Sequence, residues 1–228
     1  MCCSKSALSS PRTAPRSPFP RAPSSWSRPS SWRAKQTTES PPVNRSERFP
    51  DRWPAGSDCI LTATEVAAAL DRQARRLGLL LAGRDAVTMM VLMNGGLYPA
   101  VELARRLDFP FAIDHVHATR YRGATFGGEL KWGRWPSKVT GCMLLVDDIF
   151  DEGHTLQAVR KRLLDDGADE VVTAVLALKE HDRGLPRDWV DDSAIAVPDR
   201  YVFGCGMDWQ GYWRQLDDIW ALPEDVCS

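Results

Sequence analysis

Uninterrupted apolar runs, each about as long as one strand, constrain the fold of this chain more than any other feature of its sequence. Val87–Met93 and Cys142–Val146 consist almost entirely of apolar residues, and Glu170–Leu178 is nearly as apolar. Runs without polar alternation are typical of strands that are covered on both faces. Helical segments separate these runs, so the pattern predicts repeated strand–helix–strand units, a parallel sheet and right-handed crossovers.

Weaker signals complete the predicted order of elements. Helices are predicted where Ala and Leu recur at helical spacing, with Thr62 or Thr64 as the first N-cap. A stretch rich in Gly, Arg and Trp predicts a long excursion or β-ribbon. The predicted helices are Cys59–Leu81, Leu97–Leu107 and Thr155–Asp165, the ribbon is Arg120–Pro136, and the further strands are Ala112–Ala118, Ile195–Val197, Tyr201–Phe203 and Ile219–Leu222.

The first 50 residues differ in composition from the rest of the chain. They hold nine Lys or Arg, two acidic residues, nine Pro and twelve Ser, a composition that cannot bury an apolar core. The other 178 residues carry 20 basic and 28 acidic residues, a net charge near −8. We therefore expect residues 1–50 to be a disordered extension and residues 58–222 to be the folded domain. An organelle transit peptide is the alternative interpretation of the extension, although its Pro content disfavours the amphipathic helix that such a peptide needs.

The composition also limits the classes of function. The folded part is acidic, so nucleic acid is not an expected partner. No apolar stretch approaches 18 residues, which predicts no membrane span. The six Cys contain no C-x-x-C pair and follow no apolar secretory signal, which predicts reduced thiols and a cytoplasmic location.

One strand-to-helix segment carries most of the predicted chemistry. Residues 143–156 read MLLVDDIFDEGHTL, a buried strand followed by a polar turn predicted at Asp147–Gly153 and then a helix. Backbone amides at the start of a helix form a seat for anions, and Gly153 allows close approach of the backbone. Thr155 can cap the helix or donate to a phosphate oxygen. The neighbouring carboxylates suit ribose hydroxyls or Mg²⁺, so the segment predicts a site for a phosphorylated sugar.

This segment resembles the phosphoribosyl-pyrophosphate signature of the type I phosphoribosyltransferases, and the C-terminal third of the chain resembles their hypoxanthine-guanine branch. The resemblance covers about Asp58 to Leu222. It implies an α/β fold, with a Rossmann-like parallel sheet flanked by helices, a small C-terminal hood and a mobile β-ribbon loop. It also implies a Mg²⁺-dependent purine-salvage enzyme. That enzyme would transfer the 5-phosphoribosyl group from phosphoribosyl pyrophosphate to N9 of hypoxanthine or guanine, giving IMP or GMP and pyrophosphate.

The resemblance implies a role for each matching residue. Asp151 would accept the purine proton at N7 and is the expected catalytic residue. The ribose and 5′-phosphate would be bound by Asp147, Asp148, Glu152, Gly153, His154 and Thr155. The pyrophosphate would be bound by Asn94, Gly95, Gly96, Arg120, Tyr121 and Arg214. The purine would be bound by Lys179, Tyr201 and Val202, and Mg²⁺ would be bound by Asp147, Asp148 and Asp208.

Two positions depart from the pattern of the branch. Asn94 stands where the branch commonly has Lys before two glycines, and Arg120 precedes Tyr121 where the mobile loop usually has Ser-Tyr. We expect Arg120 to supply the positive charge that Asn94 lacks. Arg183 lies where the family sometimes has a further Arg that faces a phosphate.

Two alternative functions stay open at this point. One is a phosphoribosyltransferase for xanthine, orotate or a pyrimidine, which Lys179 and the Tyr201-Val202 pair disfavour. The other is a non-catalytic sensor of phosphoribosyl pyrophosphate, which need not keep Asp151. The resemblance also implies a homodimer or homotetramer. Five Trp residues of the folded part are expected to serve in core or subunit packing; they are Trp132, Trp135, Trp209, Trp213 and Trp220.

Overall fold

The computed structural model describes residues 53–120 and 130–224, with only the backbone described at residues 119 and 120. Two sheets and three α-helices make up these ranges. The strands are β1 (Asp58–Leu61), β2 (Val87–Met93), β3 (Ala112–Arg120), β4 (Leu130–Trp132), β5 (Gly141–Phe150), β6 (Ala168–Lys179), β7 (Asp192–Val197), β8 (Val202–Phe203) and β9 (Ile219–Ala221). The α-helices are α1 (Ala63–Leu80), α2 (Leu97–Ala104) and α3 (His154–Asp165), and a 3₁₀ turn spans Arg187–Trp189.

The larger sheet of the described residues has six strands in the order β4–β3–β2–β5–β6–β7. All neighbours are parallel except the edge strand β4, which pairs antiparallel with β3. The chain first adds β3 on one side of β2 and later adds β5 on the other side. The strand order therefore reverses between β2 and β5, and in open α/β sheets ligands bind outside the carboxyl ends of the strands at such a point.

Both faces of this sheet are buried, which explains the uninterrupted apolar runs. Met89 and Leu144 pack into the cluster that includes residues of α1 and α2, whereas Met90 and Leu145 pack into the cluster that includes residues of α3. Neighbouring residues of one strand thus enter opposite layers. The prediction of an α/β fold with a parallel sheet flanked by helices is confirmed.

A small second sheet, β1–β9–β8, forms the predicted C-terminal hood. Its core contains Phe203, which is fully buried, together with Trp213 and Trp220. Trp53 packs edge-to-face against all three of these rings, with centroid distances of 4.8–5.5 Å. Trp213 and Trp220 of the hood therefore serve in packing, as expected.

The described part of the predicted ribbon is the antiparallel pair of β3 and β4. Its base is held against α3, because the guanidinium of Arg162 lies 4.5 Å from the ring of Trp132 and 4.1 Å from that of Trp135. The indole N–H of Trp135 also donates to Asp166 at 2.7 Å. Residues 121–129, which join the two strands, lie outside the described residues, and so do residues 1–52.

The prediction of one helix over Cys59–Leu81 is wrong at its start. Asp58–Leu61 is strand β1, which pairs antiparallel with β9 near the other end of the domain. The helix begins after Thr62, whose hydroxyl accepts from the amide of Glu65 while the Glu65 carboxylate accepts from the amide of Thr62. This capping box fixes the start of the helix.

The start that the sequence predicts for the turn at Asp147–Gly153 is also wrong. Strand β5 continues to Phe150, because β6 pairs with it as far as Phe150↔Leu178. The turn is therefore short, and α3 begins at His154 with Gly153 as its N-cap. Gly153 has φ +78°, and a Cβ there would lie 2.3 Å from the ring of Phe150. Thr155 thus lies in the first turn of the helix and is not its cap.

The other elements agree with the prediction to within a few residues at their ends. Strand β2 has the predicted bounds, Val87–Met93. In the part of the chain that the structure describes, none of the helices is long and apolar enough to cross a membrane.

Candidate active site

Two loops meet at the carboxyl ends of β2 and β5, where the strand order reverses. The first is Asn94–Gly96, which follows a cis peptide bond between Met93 and Asn94. A Cβ at Gly95 would lie 2.0 Å from Oδ2 of Asp148, so only glycine fits there beside the end of β5. At Gly206, which has φ +104°, a Cβ would lie 2.2 Å from the carbonyl oxygen of Gly95. The hood therefore closes onto this first loop and onto Asp148 at the end of β5. The second loop, Glu152–Thr155, follows β5.

A cavity of about 140 Å³ lies beneath the hood at this edge of the sheet. It brings together six of the residues to which the sequence assigns roles in catalysis, purine binding or metal binding. Its lining consists of Asp148, Ile149, Asp151, Lys179, Tyr201, Val202, Met207 and Asp208. The ring of Tyr201 is held edge-on by Trp209, with a centroid distance of 5.2 Å. An aromatic face, apolar walls and a few polar groups suit a small planar ligand.

Asp151 holds two hydrogen bonds at the floor of this cavity. Lys179 donates from Nζ to Oδ2 at 2.9 Å, and Nε2 of His181 lies 2.6 Å from Oδ1. Desolvation acts to raise the pKa of Asp151, but the hydrogen bonds from Lys179 and His181 outweigh it and hold the pKa below its usual range. Asp151 is therefore ionised at neutral pH and able to accept a proton.

Asp147 and Asp148 form an acidic pair at the end of β5. The amide of Asp148 donates to Oδ1 of Asp147 at 2.9 Å, and the amide of Ile149 donates to Oδ1 of Asp148 at 2.8 Å. Burial, together with the neighbouring carboxylate of Asp148, raises the pKa of Asp147 well above its usual range. Burial also raises the pKa of Asp148, against the opposing effect of Arg214. Such a pair favours hydroxyl donors or a cation as its ligand.

Arg214 links this acidic pair to the hood. Its Nη2 lies 2.5 Å from Oδ1 of Asp208, its Nη1 donates to the carbonyl oxygen of Gly206 at 2.6 Å, and Nη1 lies 3.7 Å from Oδ2 of Asp148. Arg214 also lines a second cavity, of about 520 Å³, together with Asn94. Two residues that the sequence assigns to one anion thus line the same cavity.

The loop Glu152–Thr155 follows Asp151 and includes the first residues of α3. Amides in the first turn of a helix have no carbonyl partner within the helix, and the helix dipole adds positive potential at this end. The loop is supported from outside by residues 184 and 185. Leu185 donates its amide to the carbonyl oxygen of Glu152 at 3.0 Å, and a Cβ at Gly184 would lie 2.5 Å from Cα of Glu152. This arrangement suits a phosphate group.

Comparison with known proteins identifies this arrangement. The model of a family described as "Phosphoribosyl transferase domain" matches residues 57–210. The chain belongs to the phosphoribosyltransferase family. The match spans the parallel sheet, both loops, and strands β1 and β8 of the hood of this phosphoribosyltransferase, including the cavity that contains Asp151 and Lys179.

Among curated relatives, a hypoxanthine-guanine phosphoribosyltransferase from Streptococcus pneumoniae is 25% identical over 172 residues, which are 74% of this chain and 94% of that protein. A solved hypoxanthine phosphoribosyltransferase from Staphylococcus aureus has a TM-score of 0.68 at 22% identity, covering 82% of this chain and 99% of the other. A hypoxanthine phosphoribosyltransferase from Trypanosoma cruzi, solved with the product IMP, has a TM-score of 0.67 at 22% identity. The match covers 74% of this chain and 95% of the other. These structures have the same fold as this phosphoribosyltransferase.

The structure brings most of the predicted site residues together, with three exceptions. Tyr121 and the side chain of Arg120 lie outside the described residues, so their predicted roles stay predictions. Arg183 pairs with Asp199, with two N–O distances of 2.6 Å, and this pair joins the segment after β6 to the hood. His181 was missed by sequence reasoning, although its position two residues after Lys179 places it at the same edge of the sheet.

Proposed function

We propose that this phosphoribosyltransferase transfers the 5-phosphoribosyl group from phosphoribosyl pyrophosphate to N9 of hypoxanthine or guanine, giving IMP or GMP and pyrophosphate. The observation that carries this proposal is the cavity beneath the hood, where Asp151, Lys179 and Tyr201 converge beside a loop suited to phosphate. The names of the relatives from Streptococcus pneumoniae and Staphylococcus aureus support the same class of acceptor.

The purine would lie in the cavity with its face on Tyr201. Lys179 would donate to the 6-oxo group, and the backbone of Val202 would meet the edge of the base that forms Watson–Crick pairs. Asp151 would accept the proton from N7 as N9 attacks C1 of the ribose. A carboxylate within hydrogen-bond reach of the proton it removes contributes about 10²–10⁴-fold to such a step.

The donor would lie across the two loops. The amides of Glu152–Thr155 would bind its 5′-phosphate, Asp147 and Asp148 its ribose hydroxyls, and Arg214 with Asn94–Gly96 its pyrophosphate. Arg214 would stabilise the charge that develops on the leaving pyrophosphate as the bond to C1 breaks. This effect requires that the guanidinium is held in place before the reaction.

The residues of the site also fit Mg²⁺, which we include in the proposal. In the described ranges no group of three or more ligating side chains converges as in a protein-only metal site. Mg²⁺ commonly takes one or two carboxylates and completes its shell with substrate phosphates and water. Asp148 and Asp208, which line one cavity, would serve in that way with the adjacent Asp147. When bound with the donor, Mg²⁺ would neutralise charge on the pyrophosphate.

The test is release of pyrophosphate from the sugar donor, in the presence of Mg²⁺, with each base supplied separately. We expect turnover with hypoxanthine or guanine and none above background with adenine or orotate. Turnover that is best with adenine or orotate would overturn the acceptor assignment. Binding of the donor without turnover of any base would instead favour a sensor.

Gly95 provides a test of the contact between the Asn94–Gly96 loop and the end of β5. In Gly95→Ala the new methyl group would overlap the carboxylate of Asp148, 2.0 Å from Oδ2. Either the carboxylate or the loop must move, and a displacement of about 1 Å in a reacting geometry costs about 10²-fold in rate. We expect kcat with hypoxanthine to fall by that factor, as measured by steady-state pyrophosphate release.

Gly78→Ala is the matched control. Gly78 lies within α1, and a Cβ there would have no heavy atom within 4 Å. Replacing a helical Gly by Ala stabilises a protein by roughly 0.5–1 kcal/mol, so this variant should keep its turnover and melt at a slightly higher temperature. Equal turnover in both variants would show that the contact between Gly95 and Asp148 has no role in catalysis.

Three coarser expectations belong to the same proposal and stay predictions. They are a homodimer or homotetramer, a cytoplasmic location, and a disordered extension at residues 1–50 that turnover does not require. Sedimentation of the full chain tests the first. Deletion of residues 1–50, followed by separate measurement of turnover and cellular location, tests the others.

A further inference from the structure

His181 lies behind the proposed catalytic carboxylate. Its Nε2 is 2.6 Å from Oδ1 of Asp151, and its side chain is 5% exposed. Lys179, which lines the cavity, contacts the other oxygen, Oδ2. The two oxygens of Asp151 therefore have different surroundings, since Oδ2 is bound to a residue of the cavity and Oδ1 to a nearly buried imidazole.

The backbone determines which nitrogen of His181 carries the proton. The amide N–H of Arg183 donates to Nδ1 at 3.0 Å, so Nδ1 must be an acceptor without a proton. In a neutral imidazole the other nitrogen then carries the hydrogen. Nε2–H therefore donates to Oδ1 of Asp151. A doubly protonated ring would place Nδ1–H against the amide N–H of Arg183, so the neutral tautomer fits this site best.

The segment that carries His181 is held at several points. Arg183 binds Asp199 of the hood through both carboxylate oxygens. Leu185 binds the carbonyl oxygen of Glu152, and Gly184, with φ +82°, packs against the same residue. Because these contacts hold the residues that directly follow His181, they restrict movement of its imidazole relative to Asp151.

From this geometry we propose that His181 is a positioning residue for the proton transfer. It would hold Oδ1 of Asp151 by a single N–H donor, and so orient Oδ2 toward the base. On purine binding Lys179 would turn from Oδ2 to the 6-oxo group, and Oδ2 would then take the proton from N7. This inference rests on the proposed function, since it concerns the same carboxylate.

The charged groups around Asp151 predict what loss of His181 does. Lys179 and Arg183 favour the ionised carboxylate, whereas Glu152 and Asp199 are acidic groups on the neighbouring segments. In His181→Ala one donor to the carboxylate is lost while the other groups remain. The pKa of Asp151 should then rise, so its titration moves to higher pH.

The experiment compares His181→Ala with His181→Gln, whose side-chain amide can donate where the imidazole Nε2–H does. The first readout is the pH titration of the Asp151 carboxyl carbon by NMR in protein without substrate, assigned with Asp151→Asn. The second is kcat with hypoxanthine across pH. We expect the titration to move to higher pH in His181→Ala, and kcat near pH 6 to fall about tenfold to 10²-fold, as for the loss of one hydrogen bond to a charged group. His181→Gln should resemble the unchanged protein in both readouts.

A titration of Asp151 that is the same in all three proteins would overturn the inference, and so would equal losses of kcat in the two variants. Circular dichroism and melting temperature show whether His181→Ala folds; if it does not, His181→Phe replaces it as the variant without a donor. The NMR readout needs no turnover. If the protein turns over no purine, the proposed function is refuted. The titration of Asp151 still decides whether His181 holds its carboxylate.

Discussion

Asp151→Asn is expected to lower kcat with hypoxanthine by about 10²–10⁴-fold. The amide cannot accept the purine proton, yet it has nearly the shape of the carboxylate. Its single oxygen can still accept from Lys179 or from His181, while the other of these two donors would face the amide NH2 group. Binding of the sugar donor depends on other residues and should change much less. Steady-state kinetics that separate kcat from KM for each substrate measure this effect.

The matched control is Asp169→Asn. Asp169 is exposed near the start of β6, at the opposite end of that strand from Lys179, so the same change of charge and size should leave kcat unaffected. If Asp151→Asn turns over within about threefold of the unchanged protein, Asp151 is not the proton acceptor.

Strand β2 and strand β1 show what the sequence can and cannot predict about this fold. Val87–Met93 is buried by helices on both faces, so its own composition indicates a strand and the observed bounds agree. Asp58–Leu61 is only half covered, and it becomes a strand because β9 pairs with it near the other end of the domain. Pairing between segments so distant in the sequence has no local signal.

The site shows the same division. The strand-end carboxylates and the helix start at 147–155 are continuous in sequence, so their chemistry can be inferred from one segment. Lys179, Tyr201 and Arg214 come from separate segments, and only the resemblance to a family assigned them. The structure places Lys179 and Tyr201 in the cavity that holds Asp151, and Arg214 against Asp208 of the same cavity.

His181 could not be predicted in this way. Its contact with Asp151 depends on the turn after β6, where Gly184 adopts a positive φ and Arg183 donates its amide to the ring. A single His after a strand has no periodicity and no spacing that distinguishes it from a solvated side chain. Its place at the sheet edge beside Lys179 is the one signal available, and it becomes informative only after the order of the strands is known.

Lys179→Gln is expected to reduce the discrimination between hypoxanthine and adenine. In the proposed complex Lys179, whose side chain is 11% exposed, would donate to the 6-oxo group of hypoxanthine and would face the 6-amino group of adenine, and two donors cannot pair. Sites built around one such hydrogen bond discriminate by up to about 10⁴–10⁵. A glutamine amide can donate to an oxo group or, after rotation, accept from an amino group. The ratio of kcat/KM for the two bases should therefore fall by at least about 10²-fold.

The absolute rate with hypoxanthine should fall as well, because Lys179 also donates to Asp151. For this reason the ratio between bases is the decisive measurement, since an effect through Asp151 alone would lower both rates equally. Lys161→Gln, at an exposed position on α3, is the matched control and should leave the ratio unchanged. If the ratio of kcat/KM for hypoxanthine and adenine is the same in Lys179→Gln as in the unchanged protein, another group discriminates between the bases. The backbone of Val202 would then be the next group to test.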